Sequence, residues 1–244
     1  MRHRYGPHFH QFGDLLLPQA GGPAPVAVVL HGGYWREQFT LDLGDELVRD
    51  LARRGWAAWN AEFRRVGEVS GGGHPQTFDD VATAVDALAT MDAPLDLDLE
   101  RVVAIGHSAG GTLALWAAGR TDAAVPLAGV VSQAGVTDLR EADRRGLGDG
   151  AAAELMGAGA EQAPERYAKA SPIERLPLGV PQLLVHGDAD DRVPLDLSVR
   201  YAEAARAAGD DVELVVRPGE DHFVHLDPAS GAWAAVVEWL RRFE

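Results

Sequence analysis

The sequence predicts one doubly wound α/β domain, a mostly parallel central sheet with helices on both faces and a small helical insertion. Three observations carry that expectation. Short apolar runs alternate with longer amphipathic ones along 244 residues, a length that suits a single medium domain spanning 1–244. Most of the short runs are apolar throughout rather than alternating, as strands covered on both faces are. One stretch, 139–178, breaks the alternation and holds no convincing strand.

Taken in order, a strand pair is expected within residues 9–17, at the edge of the sheet. The sheet strands are then VAVVLH (26–31), WAAWNA (56–61), RVVAIG (101–106), AGVVSQ (128–133), PQLLVH (181–186) and VELVVR (212–217). Helices are expected over 42–54, 77–91, 109–119, 196–208 and 229–243. In the second of these, Phe78, Val81, Val85 and Leu88 recur at helical spacing, with Thr77 as N-cap and Asp79 and Asp80 in the first turn. Gly209 is placed to terminate the fourth. The β-α-β-α order implies right-handed crossovers. The 139–178 stretch, rich in Gly and Ala, is too long for an ordinary connection and is read as a helical cap over the C-terminal edge of the sheet.

Composition narrows the function classes. Hydrophobic residues make up 46%, enough for a full core. There is no cysteine, which excludes disulfides, a thiol nucleophile and any Cys-ligated metal. The net charge of -15 argues against nucleic acid or an anionic membrane as partner, since both need basic patches. No apolar run approaches a membrane span, and the N-terminus lacks the apolar core of a signal peptide, so a cytoplasmic location is expected. No dinucleotide fingerprint or P-loop occurs. His31, His107 and His186 each end a strand but belong to no metal-ligand pattern, so no metal is expected.

The chemistry centres on Gly106-His107-Ser108-Ala109-Gly110, a G-x-S-x-G between a strand and a helix. The turn is so sharp that only small residues fit beside the serine, and it lifts the hydroxyl to the positive end of the next helix. A serine needs a base, and His222, just after the last strand, supplies it in preference to His225. The orienting acid comes from Asp188, Asp190 or Asp191 in HGDADDRVP, with Asp190 preferred. Gly32 and Gly33 in LHGGYWRE, with the Ala109 N–H, are the expected oxyanion donors. Tyr34, Trp35 and His107 are candidate substrate-binding residues. Tyr34 and Trp35 are read equally well as packing beneath the loop. NAEFRR (60–65) reads as a structural lock through Arg64 or Arg65.

Together HGGYW, GHSAGG, HGDADDRVP and the late DHF resemble the α/β-hydrolase superfamily over nearly the whole chain. HGGYW is similar to arylformamidases and to small bacterial carboxylesterases. D-D-R-V-P and A-S-P (170–172) resemble the catalytic domains of prolyl-oligopeptidase-type enzymes, although the chain has no room for their large N-terminal propeller. The resemblance implies acyl transfer to water without a cofactor. The substrate would be a small carboxylic ester or, alternatively, an aryl formamide. A peptidase and a non-catalytic binding protein are the remaining readings, and a homodimer is left open.

Overall fold

A computed structural model describes residues 1–19 and 21–244. Its eight strands are β1 (Arg2–Arg4), β2 (Phe12–Leu16), β3 (Ala24–Leu30), β4 (Ala57–Ala61), β5 (Leu97–His107), β6 (Gly129–Gln133), β7 (Gln182–Gly187) and β8 (Val212–Arg217). They form one sheet in the order β1-β2-β4-β3-β5-β6-β7-β8. β1 and β2 pair antiparallel, β2 is antiparallel to β4, and every other pair is parallel. The expected doubly wound sheet is therefore present, and the architecture is the α/β-hydrolase fold.

The six apolar runs become β3 to β8; the central ones bury both faces as parallel strands flanked by helices do, while β8 at the edge stays partly exposed. All five residues of β4 and of β6 are buried. The N-terminal pair departs from expectation. Only β2 lies within 9–17; its partner β1 is the polar Arg2-His3-Arg4, a short edge strand with no apolar pattern.

Helices α1 (Asp45–Arg53) and α8 (Gly231–Leu240) cover one face, burying Leu47, Val48, Leu51, Trp233 and Val236 against the sheet. The other face carries α2 (Gln76–Asp86), α3 (Ala109–Ala118) and α7 (Leu195–Ala207). Thr77 does not cap α2. The helix starts one residue earlier, and the Thr77 hydroxyl instead donates to the Arg64 carbonyl at 2.7 Å. Gly209 sits just beyond α7 at φ +96°, a conformation glycine adopts at no steric cost. Between β6 and β7 lie α4 (Leu139–Arg144), α5 (Leu147–Met156) and α6 (Pro164–Ala170), followed by a 3₁₀ turn, Pro172–Arg175. No helix among the described residues is long and apolar enough to cross a membrane.

The topology fixes where a site can form. The chain runs from β3 outward to β4, then returns to β5 on the other side of β3. At such a reversal the loops leaving the two central strands diverge and open a crevice at their C-terminal ends. Residues 31–41 leave β3 there, and Ser108 follows β5.

Candidate active site

Ser108 links β5 to α3 with φ +54° and ψ -121°, a region costly for a residue with a side chain. Its neighbours make the turn feasible. A Cβ on Gly106 would lie 2.0 Å from the Gly110 carbonyl, and one on Gly110 would lie 2.0 Å from the Leu30 carbonyl. Both glycines are thus required by close backbone approach. Serine alone in the pentapeptide combines a hydroxyl with the strained conformation.

Asp190 follows β7 and His222 follows β8. The His222 Nδ1–H donates to Asp190 Oδ2 at 2.7 Å, which leaves Nε2 as the ring's lone-pair nitrogen. The Arg192 and Val193 N–H groups donate to Asp190 Oδ1 at 2.8 Å each, and His186 Nε2 lies 3.2 Å from Oδ2. Burial alone would push this carboxyl up. The contacts with His186 and His222, the imidazole charge and the Val193 N–H outweigh burial and hold it below the usual carboxylate range. Asp191, the neighbouring candidate, is exposed and pairs with Arg192 at 3.3 Å. Asp188 accepts from the Gly219 N–H at 2.6 Å and so ties the β7 loop to the β8 loop.

Ser108, His107, His222 and Gly33 line one cavity of about 230 Å³, walled mostly by Tyr34, Phe39 and Phe223 together with two leucines. Larger, more open clefts of about 420 and 650 Å³ lie against Tyr5 and against Leu17, and neither combines a serine with a histidine. Among the described residues, neither Gly33 nor Ala109 uses its N–H in a protein hydrogen bond, so both donors are uncommitted. Gly32 packs against His107 and Ser108, and its N–H likewise has no protein partner among the described residues. No group of three or more His, Asp or Glu among the described residues is arranged to hold a metal ion.

The aromatic pair of the β3 loop divides. Tyr34 faces the cavity, whereas Trp35 is buried beneath the loop and donates its indole N–H to the Ala109 carbonyl at 3.0 Å. His107 lines the cavity as well. Its Nε2–H reaches across to the His222 carbonyl at 2.8 Å and ties the two loops together. Burial, then repulsion from His222 and His225, pushes its pKa well down. His225 does not line the cavity. It is fully buried in the 3₁₀ turn Val224–Leu226, and burial followed by His186 and His222 lowers it to about 3. Both of its ring nitrogens lack protein partners among the described residues.

Sequence reading gave no role to Glu62. This buried carboxylate meets the β3 loop at both ends, through His31 and the Leu41 N–H. The signal available was NAEFRR itself, where an acidic and a basic residue at the end of an apolar strand must find partners once buried.

Three comparisons bear on this geometry. A model of the prolyl oligopeptidase family matches residues 51–243. The chain is similar to a "Putative carboxymethylenebutenolidase" of Methylorubrum extorquens, 27% identical over 242 residues that span 93% of this chain and 75% of that one. It is also similar to Esterase LipC of Mycobacterium tuberculosis, 26% identical over 225 residues that span 85% of this chain and 55% of that one. Among solved structures, an esterase of the Planctomycetes species Thermogutta terrifontis superposes with a TM-score of 0.79 at 22% identity, covering 100% of this chain and 90% of that one. That likeness concerns the fold. The family match runs from α1 to the last turn and takes in the Ser108 elbow and the Asp190 and His222 loops. This chain therefore belongs to the prolyl oligopeptidase family.

Proposed function

We propose that the protein is a serine hydrolase that cleaves small carboxylic esters through an acyl-enzyme. The observation that carries the reading is the grouping of a strained, cavity-facing Ser108 with a His222 already bonded to Asp190. Ser108 Oγ attacks the ester carbonyl carbon while His222 Nε2 takes its proton. The carbonyl oxygen becomes an oxyanion in front of the Gly32, Gly33 and Ala109 N–H groups. Collapse breaks the bond to the leaving oxygen, which takes the proton from His222 and departs as the alcohol. Water then repeats the attack on the acyl-enzyme, releasing the acid and restoring Ser108. Asp190 holds the ring orientation and stabilises the imidazolium. A carboxyl held below its usual range stays ionised throughout that task.

The names of the similar proteins support an esterase, and a cavity of about 230 Å³ with apolar walls suits a short acyl chain. Tyr34 on that wall keeps an aryl formamide as a second reading, because a flat ring packs well there. The test is hydrolysis of p-nitrophenyl acetate, butyrate and octanoate beside N-formylkynurenine. Acetate and butyrate are expected to turn over fastest, and Ser108→Ala is expected to lose several orders of magnitude, on the order of 10⁴ or more. Dominant formylkynurenine turnover would replace the ester reading by the formamide one. Wild-type rates in Ser108→Ala would overturn both.

A further inference from the structure

We infer that the buried pair Glu62–Arg65 is the positioning device for the oxyanion loop, and so sets the rate of the reaction without touching the substrate. The inference rests on the hydrolase reading above. It starts from a problem in the loop. Gly33, Tyr34 and Trp35 have φ of +107°, +54° and +56°, and two of the three carry side chains. Such a run persists only where its surroundings over-determine it.

The surroundings are one short segment, 62–66, which continues β4. Glu62 Oε1 accepts from His31 Nε2 at 3.1 Å, at the start of the loop. Glu62 Oε2 accepts from the Leu41 N–H at 3.1 Å, at its end. Arg65 Nη1 donates to the Phe39 carbonyl and to Glu62 Oε2, the latter at 3.1 Å. The Val66 N–H donates to the Trp35 carbonyl at 2.7 Å, and the Glu37 N–H to the Val66 carbonyl at 2.9 Å. The His31 ring also meets the Gly32 carbonyl through Nδ1 at 2.7 Å and stacks on Phe63.

Glu62 is 1% exposed and Arg65 fully buried. A buried ion pair is weak evidence for stability, because taking two charges out of water costs about what their attraction returns. Here the charges are spent on backbone groups of one loop. The contacts clamp residues 31, 35, 37, 39 and 41, and between them lies Gly33, which lines the cavity and whose N–H has no protein partner among the described residues. Loss of the clamp would let the strained residues relax and move that donor. A misplacement of about 1 Å at a reacting centre costs on the order of 100-fold in rate.

A second ion pair beside it, with a buried carboxylate, supplies the control. Asp80 is fully buried and bonds Arg64 and Gln11, and none of its hydrogen bonds reaches residues 31–41. The experiment compares Glu62→Gln, Asp80→Asn and Ser108→Ala in the full chain. Each is measured for kcat and KM on p-nitrophenyl acetate, for inhibition by phenylboronic acid, and for Tm. Phenylboronic acid forms a tetrahedral serine adduct whose oxygen occupies the oxyanion position. In Glu62→Gln, kcat is expected to fall about 100-fold and phenylboronic acid affinity by a similar factor, with KM changed less than about threefold. Asp80→Asn is expected to lower Tm and leave kcat and inhibition unchanged. A folded Glu62→Gln with wild-type kcat and inhibition would overturn the inference, as would an equal kcat loss in Asp80→Asn. If Glu62→Gln does not fold, Glu62→Asp is read by the same criteria. An active Ser108→Ala would instead overturn the hydrolase reading itself.

Discussion

Asp190 and Asp191 are adjacent in sequence and opposite in environment. One has a buried side chain that accepts from the N–H groups of its own loop and from His222 on the loop after β8, and the other stands in solvent beside Arg192. Asp190→Asn keeps the shape and removes the charge that would stabilise a protonated His222. It is expected to lower kcat by as much as about 10⁴, while Asp191→Asn changes kcat less than about threefold. Steady-state kinetics on p-nitrophenyl acetate separates them, and equal losses would show that Asp190 is not the orienter. At this scale the sequence was legible wherever chemistry and spacing coincide. Ser108 stands in a pattern tied to one turn, and His222 follows the last strand. The tie from His107 to the loop after β8 was not legible, because it joins residues 115 apart. Glu62 was missed for the same reason, since its partners lie 21 and 31 residues away.

Elements follow from the sequence where burial dictates composition. Strands covered on both faces must be apolar, so β3, β4, β6 and β7 announce themselves, whereas β8, at the sheet edge, is read from its β-branched run alone. β1 does not, because an edge strand of three residues obeys no such demand. The insertion was legible as helical, but not its contact with the oxyanion loop. α5 opens with Gly148, Asp149 and Gly150 all in the left-handed region, and Gly148 lies flat against the Tyr34 ring. Arg36 donates to the Gly148 carbonyl at 2.8 Å and pairs with Glu154 at 2.7 Å, fastening α5 to the β3 loop. A Cβ on Gly148 would lie 2.3 Å from Tyr34 Cδ1, at a φ that costs a side chain about 1–2 kcal/mol. Gly148→Ala is expected to lower stability by at least that amount, read by urea denaturation. By displacing the Tyr34 ring, it should also change the ratio of acetate to butyrate turnover. An unchanged ratio would show that α5 does not shape the cavity.

For the molecule as a whole, the buried titratable groups set a direction for acid sensitivity. His225 is held at about 3 by burial and by His186 and His222, opposed by Asp190 and Asp221, against about 6.5 for a free histidine. Between those values the unfolded chain binds one more proton than the folded one, so stability falls as pH falls through that window. Asp190, also lowered, adds stability above the ordinary carboxylate value near 4 that is lost below it. His225→Leu is expected to reduce the slope of unfolding free energy by about 1.4 kcal/mol per pH unit between roughly pH 3 and 6.5. Urea denaturation at stepped pH measures it, and an unchanged slope would mean that His225 is protonated in the fold. The order of the sheet has a last consequence, for biosynthesis. The serine arrives on β5, near the middle of the chain, but the histidine arrives on the loop after β8, the final strand to leave the ribosome and an edge of the sheet. On the proposed mechanism, a nascent chain would display its nucleophile long before it has a base. Onset of turnover would coincide with docking of β8, and enzymatic activity would then serve as a clock for completion of the fold.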